Sequence, residues 1–243
     1  MNTYICGDLY DIAIGIFETE SVLISNIIGE NFASIHHIGS TAVRGLVAKP
    51  QIDIALEIEN LNKSLILKNH GYIYKGEFNI PFRYFFSGDS KKNIKINLHV
   101  VERNSPELEG FIVFRDYMRD NPKACVEYSA LKLQNSKFLE SDKKNEYGLG
   151  KYTLMKDGFI RKILKKAGFE GLCIRFAAHY KELEYVGEMF PDTKYFVFYK
   201  GPDLVGHCAV SESDNRVISF NASDKNYAKY FMEKVRSYCG IPV

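Results

Sequence analysis

Three residues in the first quarter of the chain have the types and the spacing that phosphate and metal chemistry require. Gly39 and Ser40 end a β-rich run, and Asp53 follows on an alternating strand, Gln51–Glu59. Glycine permits a tight turn whose clustered N–H groups bind anions, and the Ser40 hydroxyl adds a donor. Mg²⁺ binds through one or two carboxylates together with substrate phosphates. The pattern predicts a phosphate site beside a metal carboxylate.

The loop between these residues offers further phosphate donors. Thr41 can donate as Ser40 does, and Lys49 lies close to Asp53 in sequence. A lysine would hold a phosphate as a point charge, whereas Arg44 would bind it through two parallel hydrogen bonds.

Asp53 is expected to face away from the core helices. Side chains alternate between the two faces of a strand, and one face of Gln51–Glu59 is wholly aliphatic: Ile52, Ile54, Leu56 and Ile58. We assign that face to the core. Asp53, Ala55 and Glu57 share the other face, beside the Gly39-Ser40 loop.

The longer string around these residues resembles a known family. His-Ile-Gly-Ser-Thr-Ala-Val-x-Gly-Leu-x-Ala-Lys-Pro-x-Ile-Asp-Ile, at positions 37–54, is similar to the GrpB family of the DNA polymerase β-type nucleotidyltransferase superfamily. Four further segments match in order: Asn97–Val101, Phe114–Pro122, Tyr128–Lys132 and Tyr147–Lys151. The resemblance runs from about Ile12 to Lys166. It implies an α+β fold, with a small mixed sheet, flanking helices and a helical tail.

The resemblance implies a function and a set of roles. The protein would bind a nucleoside triphosphate with Mg²⁺ or Mn²⁺ and transfer a nucleotidyl group to an unknown small-molecule or protein acceptor. Asp53 and Ser40 are the expected catalytic residues. The expected metal ligands are Asp53, His99 and His37, since both histidines lie on strands beside Asp53. The expected substrate-binding residues are Gly39, Ser40, Thr41, Lys49, Arg83, Lys132 and Lys151.

Two departures from the superfamily pattern leave alternatives open. The superfamily carries a second carboxylate two residues after the first, where this chain has Ala55. Glu57 would lie about 13 Å from Asp53 at the rise of a strand, too far to share a metal. The neighbouring strand offers Asn97 or His99 where a third carboxylate is expected. The site could use one metal, an Asp–His pair or no catalytic metal, and the alternative function is a non-catalytic nucleotide-binding or scaffolding module.

Composition excludes several classes of protein. The 243 residues are 46% hydrophobic and 26% charged, as in soluble globular proteins. A net charge of +2 argues against a nucleic-acid-coating surface. We find no apolar run that approaches the ~18 residues of a membrane span, so a cytoplasmic protein is expected. The five cysteines are scattered and odd in number, which favours reduced thiols. The oligomeric state stays open.

A charged run with two glycines, Lys165–Gly171, predicts a domain boundary, with domains at 1–168 and 169–243. The second domain is expected to be small and α/β: a strand, a helix over 178–189, a hairpin around Gly201–Asp203, another strand and a helix capped by Asp224. Its order faintly resembles half of a GNAT acetyltransferase. Because Asn221–Ala228 lacks the phosphate-binding glycines of that family, we expect a degenerate docking or dimerising module.

Overall fold

The computed structural model describes residues 6–91, 94–139, 143–145, 147 and 149–242. Through residue 102 it contains one α-helix, α1 (Tyr10–Ile28), and seven strands: β1 (Cys6–Asp8), β2 (Phe32–Ile38), β3 (Val47–Ala48), β4 (Gln51–Ile58), β5 (Ile73–Tyr74), β6 (Arg83–Asp89) and β7 (Lys95–Glu102). Three 3₁₀ segments join them: Gly29–Asn31, Ser40–Ala42 and Leu61–His70.

The described residues that follow form four α-helices, α2 (Pro106–Asp120), α3 (Pro122–Asn135), α4 (Lys151–Leu154) and α5 (Asp157–Lys166), and a 3₁₀ turn at Ser136–Phe138. Prolines at the first position of α2 and α3 begin each helix without losing a hydrogen bond. From the sequence, a helical pattern is expected from Pro106 to Lys166, with breaks near Asn121-Pro122 and Ser141–Glu146. The first break is confirmed, and the second lies partly outside the described residues.

The main sheet has five strands in the order β2-β4-β7-β6-β5. β4 pairs in parallel with β7, and the other pairs are antiparallel, so the sheet is mixed as predicted. One row across it aligns Ile38, Asp53, Asn97 and Ser87. This row places the predicted metal ligand next to the end of β2 and the Gly39-Ser40 turn.

Both faces of the sheet are covered, which corrects the expected environment of Asp53. The aliphatic face of β4 packs against α1 in the main core, as expected. On the other face, Ala55 is fully buried and packs with Ile38, Val101 and Leu108, the last of these on α2. Parallel strand pairs are usually buried on both sides. Asp53 therefore lies at the border of a covered face and is itself only partly buried.

Helix α1 contradicts the expectation that no apolar run approaches the length of a membrane span. The segment Tyr10–Asn31 is 22 residues long and contains an 18-residue window with a mean hydropathy of 1.4, so by length and composition it could cross a membrane. In this fold the inner side of the helix packs on the main sheet through Ala13, Ile16, Ile24 and Ile28. A core helix of a soluble protein passes the same test of length and composition.

Residues 172–242 form a C-terminal unit around a four-stranded antiparallel sheet, ordered β11-β10-β9-β8. Its elements are β8 (Leu172–Phe176), α6 (Tyr180–Val186), β9 (Thr193–Lys200), β10 (Asp203–Ser211), β11 (Val217–Ala222) and α7 (Lys225–Cys239). The Asp224 carboxylate accepts from the Asn226 N–H, which confirms the predicted cap. Helix α6 is shorter than predicted because Gly187, at φ +82°, ends it.

The C-terminal unit shares a core with the rest of the chain. One face of its sheet, with Tyr195, Val197 and Tyr199, packs against side chains of α2 and α5, among them Val113 and Leu164. The other face packs on α7. The boundary near 168 stays a prediction; across it the two parts are joined by a continuous apolar contact.

Candidate phosphate-binding site

The Gly39 turn lies directly against the Asp53 carboxylate. Gly39 has φ +71°, and a Cβ at this position would lie 2.4 Å from Asp53 Oδ2. Any other residue would both strain the backbone and collide with the carboxylate. The close approach of turn and strand, predicted from their spacing, therefore requires glycine.

Two carbonyl groups fix this turn to helix α2. Arg115 Nη1 donates to the His37 carbonyl at 3.1 Å, and Arg119 Nε donates to the Ala42 carbonyl at 3.0 Å. From helix α3, the Ser129 hydroxyl accepts from the Val47 N–H at 3.2 Å. The turn is thus held from two helices that are distant in sequence.

Asp53 is engaged by its neighbours on β7. Asn97 Nδ2 donates to Asp53 Oδ1 at 2.8 Å, and His99 Nε2 lies 3.9 Å from the same oxygen. Burial opposes ionisation, but His99, Asn97 and Lys156 together outweigh it and lower the pKa of Asp53 below its usual value. The carboxylate is therefore ionised at neutral pH.

A buried lysine connects helix α3 to the turn. Lys132, on α3, is 3% exposed. Its Nζ donates to Ser40 Oγ at 2.8 Å and to the Val47 carbonyl. Burial, reinforced by Lys156, lowers the pKa of Lys132 to about 7. Protonated Lys132 cannot accept a hydrogen bond, so in that form Ser40 Oγ accepts from it, and the Ser40 O–H can donate to a ligand.

These groups open into one cleft of about 130 Å³. It is lined by Ser40, Ala48, Lys49, Gln51, Asp53, Lys132, Tyr152, Thr153 and Lys156. The Nζ atoms of Lys49 and Lys156 lie 4.4 Å and 4.6 Å from the centre of the Tyr152 ring. The lining has three lysines and one carboxylate, so the cleft is electropositive. Since one water takes up about 30 Å³ of liquid, the enclosed part suits a phosphate-sized group.

The single carboxylate present fits one divalent cation and not two. Asp53 offers a carboxylate, and Asn97 and His99 lie beside it on β7. Ala55 has no ligand atom, and its fully buried site among Ile38, Val101 and Leu108 leaves no space for a carboxylate. Within the described residues no three His, Cys, Asp or Glu side chains form a metal-binding group.

The prediction that His37 is a metal ligand beside Asp53 is wrong. Adjacent residues of a strand point to opposite faces, and Ile38 is the residue in register with Asp53. His37 therefore points to the α1 side, where it stacks on Phe17 with ring centres 5.2 Å apart. Burial lowers the pKa of His37 to about 4.

Thr41, a predicted phosphate donor, is hydrogen-bonded to His37 Nε2 at 3.1 Å and does not line the cleft.

Arg83 and Lys151 also lie outside the cleft lining. Arg83 is 6% exposed. Across the sheet it is in register with Val101 and Glu57, and Glu57 lies four residues after Asp53 on β4. Burial lowers the pKa of Arg83 to about 10. Lys151 is exposed, and its Nζ lies 4.2 Å from the centre of the Phe138 ring. Neither residue is placed to contact a phosphate at Ser40.

Sequence reasoning missed Lys156 and Tyr152. They are four residues apart and both line the cleft, whereas Lys151, which we predicted, precedes Tyr152 by one residue. Tyr152 lies on α4 and Lys156 in the turn before α5, so no helical spacing in the sequence links the two.

A second cavity, of about 230 Å³, lies between α1, β2 and α2 and is lined by His36, His37, Arg115 and Arg119 among others. Although it is larger, it does not include Asp53 or Ser40. Arg115 is bound to both oxygens of Asp116 and to the His37 carbonyl, and Arg119 to the Ala42 carbonyl. Both arginines therefore hold the backbone around the Gly39-Ser40 turn in place.

Comparison with known proteins identifies the family of the chain. The family model described as "GrpB protein" matches residues 15–166, more than half of the chain. The chain belongs to the GrpB family. The predicted resemblance to this family and the predicted α+β fold are confirmed.

Relatives match between about half and two thirds of the chain. The UPF0157 protein YqkA of Bacillus subtilis is 34% identical over 140 residues, which are 56% of this chain and 40% of YqkA. This chain thus spans less than half of that relative. The crystal structure of GrpB from Enterococcus faecalis has a TM-score of 0.56 and 31% identity, covering 67% of this chain and 96% of that one.

A distant likeness is to the poly(U) polymerase Cid1 bound to Mg and 3′-dATP. Its TM-score is 0.40 with 9% identity, covering 64% of this chain and 48% of Cid1. At this distance the likeness carries no argument about function.

Proposed function

We propose that the cleft beside Asp53 binds the phosphates of a nucleoside triphosphate and, with one divalent cation, supports nucleotidyl transfer to a small-molecule or protein acceptor. The observation that carries the proposal is the hydrogen bond from buried Lys132 to Ser40. This bond lies next to the ionised carboxylate of Asp53, which the turn can approach only because residue 39 is glycine. A buried lysine is costly, and a site that binds anions gives a reason to keep one.

The chain's own residues would act mainly by positioning and by neutralising charge. Ser40 would donate its O–H to a phosphate oxygen, while Lys132, Lys49 and Lys156 offset the negative charge of the phosphates. Asp53 would hold the cation, while Asn97 and His99 orient its carboxylate from β7. A bound divalent cation would polarise a phosphoryl oxygen. Transfer by in-line attack requires little covalent chemistry from the protein.

A second candidate is a nucleotide-binding module without catalysis. The observation in its favour is that Ala55 stands in a filled apolar site where the superfamily pattern has a second carboxylate. Such a module would bind the triphosphate in the same cleft and leave it intact.

Thermal unfolding with each of four nucleoside triphosphates, with Mg²⁺, Mn²⁺ or a chelator, tests the proposal. A ligand at one hundred times its dissociation constant adds about 2.7 kcal/mol to the free energy of unfolding. We expect a metal-dependent gain with at least one nucleotide, lost in Asp53→Asn and kept in Glu57→Gln, a matched change on the same strand face. Absence of any gain would refute nucleotide binding. A gain without pyrophosphate release from any acceptor class tested would favour the non-catalytic module.

A further inference from the structure

We propose that the C-terminal unit positions the Asp53 site through the loop 75–82: Tyr238 holds Glu77, Glu77 holds Arg83, and Arg83 orients His99 beside Asp53. The matched family segment ends at residue 166, so the elements that hold this loop lie outside it. The effect on nucleotide binding rests on the proposed function, whereas the effect on the His99 ring does not.

The loop has a backbone that must be held in place. Phe78 has φ +53°, Phe82 has φ +62° and Gly76 has φ +81°. Bulky residues in the left-handed region persist only where their surroundings enforce it. Between β5 and β6 the chain therefore adopts a conformation that its own residues do not favour.

The C-terminal unit supplies contacts that enforce this conformation. The Phe176 N–H, on β8, donates to the Asn79 carbonyl at 3.0 Å. The Tyr238 hydroxyl, on α7, donates to Glu77 Oε2 at 2.6 Å, and the Tyr238 ring packs edge-on against Phe82 with centres 5.4 Å apart. The other carboxylate oxygen of Glu77 accepts from the Phe82 N–H at 2.8 Å. Both ends of the loop are thus fixed to α7 through one carboxylate.

The same loop aims Arg83 at the site. Arg83 Nη2 donates to the Glu77 carbonyl at 2.9 Å, and Nη1 lies 3.4 Å from His99 Nδ1. Arg83 Nε is buried and has no hydrogen-bond partner among the described residues. Glu107, on α2, attracts Arg83, and Arg175, on β8, repels it. Neither fixes the plane of the guanidinium, so its orientation depends on the Glu77 carbonyl.

Arg83 in turn selects the tautomer of His99. An arginine only donates, so His99 Nδ1 must accept and the ring proton must be on Nε2. Nε2 is the atom that faces Asp53 Oδ1, at 3.9 Å. The rings of Phe85 and Phe111, at 5.1 Å and 5.3 Å, hold the imidazole plane. Tyr238 and Glu77 are therefore positioning residues, which act on the site through Arg83.

Substitution of Tyr238 by Phe tests this chain of contacts, because it removes the hydroxyl and keeps the ring. Tyr230→Phe is the matched control: it lies on the same helix, and its hydroxyl donates to the Leu172 carbonyl inside the C-terminal unit. The readout is the ¹⁵N chemical shifts of the His99 ring at one pH at which it is neutral, with the signals assigned by His99→Gln. We expect one Nε2–H tautomer in the wild type and in Tyr230→Phe, and a mixture in Tyr238→Phe.

A second variant and a second measurement keep the outcomes distinct. Glu77→Gln, which retains one carbonyl oxygen for two donors, should produce the same mixture if Tyr238→Phe does not fold. Where the wild type binds a nucleoside triphosphate, Tyr238→Phe should weaken it by about twofold to tenfold, the range for one hydrogen bond. Unchanged His99 tautomers in both variants would overturn the inference. Absence of nucleotide binding in the wild type would refute the proposed function and leave the tautomer result to decide this one.

Discussion

Two regions of the molecule contain buried charged side chains: the cleft at Asp53, and the junction between the C-terminal unit and the rest of the chain. The two regions differ in the ratio of cationic to anionic side chains. The cleft lining has Lys49, Lys132 and Lys156 against the single carboxylate of Asp53. At the junction, arginines meet carboxylates: Arg175 lies 3.4 Å from Glu107, and Arg161 lies 2.6 Å from Asp157 and 3.7 Å from Glu182.

This difference separates charge that serves structure from charge that serves a ligand. A buried ion is costly unless it is paired, so a fold that needs only stability matches each cation with an anion. A surplus of lysines around one carboxylate is instead what an anionic ligand would neutralise. The comparison therefore supports the cleft, and not the more highly charged junction, as the functional site.

The largest effect is expected at the junction. Glu107 is 7% exposed, and Glu107→Ala would remove the carboxylate that pairs with Arg175 and that attracts nearby Arg83. Removing one partner of a buried pair costs about 3 to 5 kcal/mol of stability. Urea unfolding measures this loss. The double variant Glu107→Leu, Arg175→Met should be more stable than Glu107→Ala, and a double variant that is less stable would show that the junction is more than a matched pair.

In the cleft, Lys132→Met should affect the ligand and spare the fold. Hydrogen bonds to charged groups contribute about 1.5 to 3 kcal/mol, so nucleotide affinity should fall by about tenfold to a hundredfold. Thermal stability should fall little or rise, because a buried cation is removed. Calorimetric titration and thermal unfolding of the same samples separate the two effects. A large loss of stability with unchanged affinity would make Lys132 a structural residue.

The pKa of Lys132 gives the cleft a dependence on pH that the junction should not share. Its folded-state pKa of about 7 is below the usual lysine value of 10.5, so between these values the unfolded chain binds more protons. The destabilisation by Lys132 is therefore greatest below about pH 7 and diminishes as the pH rises toward 10.

Lys132→Met should accordingly be most stable relative to the wild type at pH 6, with a smaller difference at pH 9. Urea unfolding at both pH values measures the two differences. Equal differences would place the Lys132 pKa near its ordinary value.

The smallest effects on nucleotide binding are expected for the partly exposed lysines of the cleft. Lys49 and Lys156 line the cleft, and replacing either by Met should weaken nucleotide binding by about twofold to fivefold, as for partly exposed charges worth up to about 1 kcal/mol. Lys151→Met is the matched control, because Lys151 lies over Phe138 outside the cleft. Competition titrations measure all three. An effect of Lys151→Met equal to the others would mean that general charge, and not the cleft, attracts the ligand.

The sequence predicts the part of the site that depends on local rules. The spacing of Gly39, Ser40 and Asp53 places a turn beside a strand, and the family resemblance adds Lys132. The contact between Lys132 and Ser40 joins residues 92 positions apart, which no periodicity reveals. His37 was misplaced because a shift of strand register by one residue exchanges the two faces of the sheet. The burial of Ala55 depends on how α2 packs, which is a tertiary property.

Isothermal titration of a non-hydrolysable nucleoside triphosphate with Mg²⁺ into the wild type, Lys132→Met and Lys151→Met tests the central claim most directly. The account predicts one saturable site in the wild type, the same site in Lys151→Met, and binding weakened by about tenfold or more in Lys132→Met. No binding to the wild type, or equal binding to all three proteins, would contradict the assignment of this cleft as a nucleotide site.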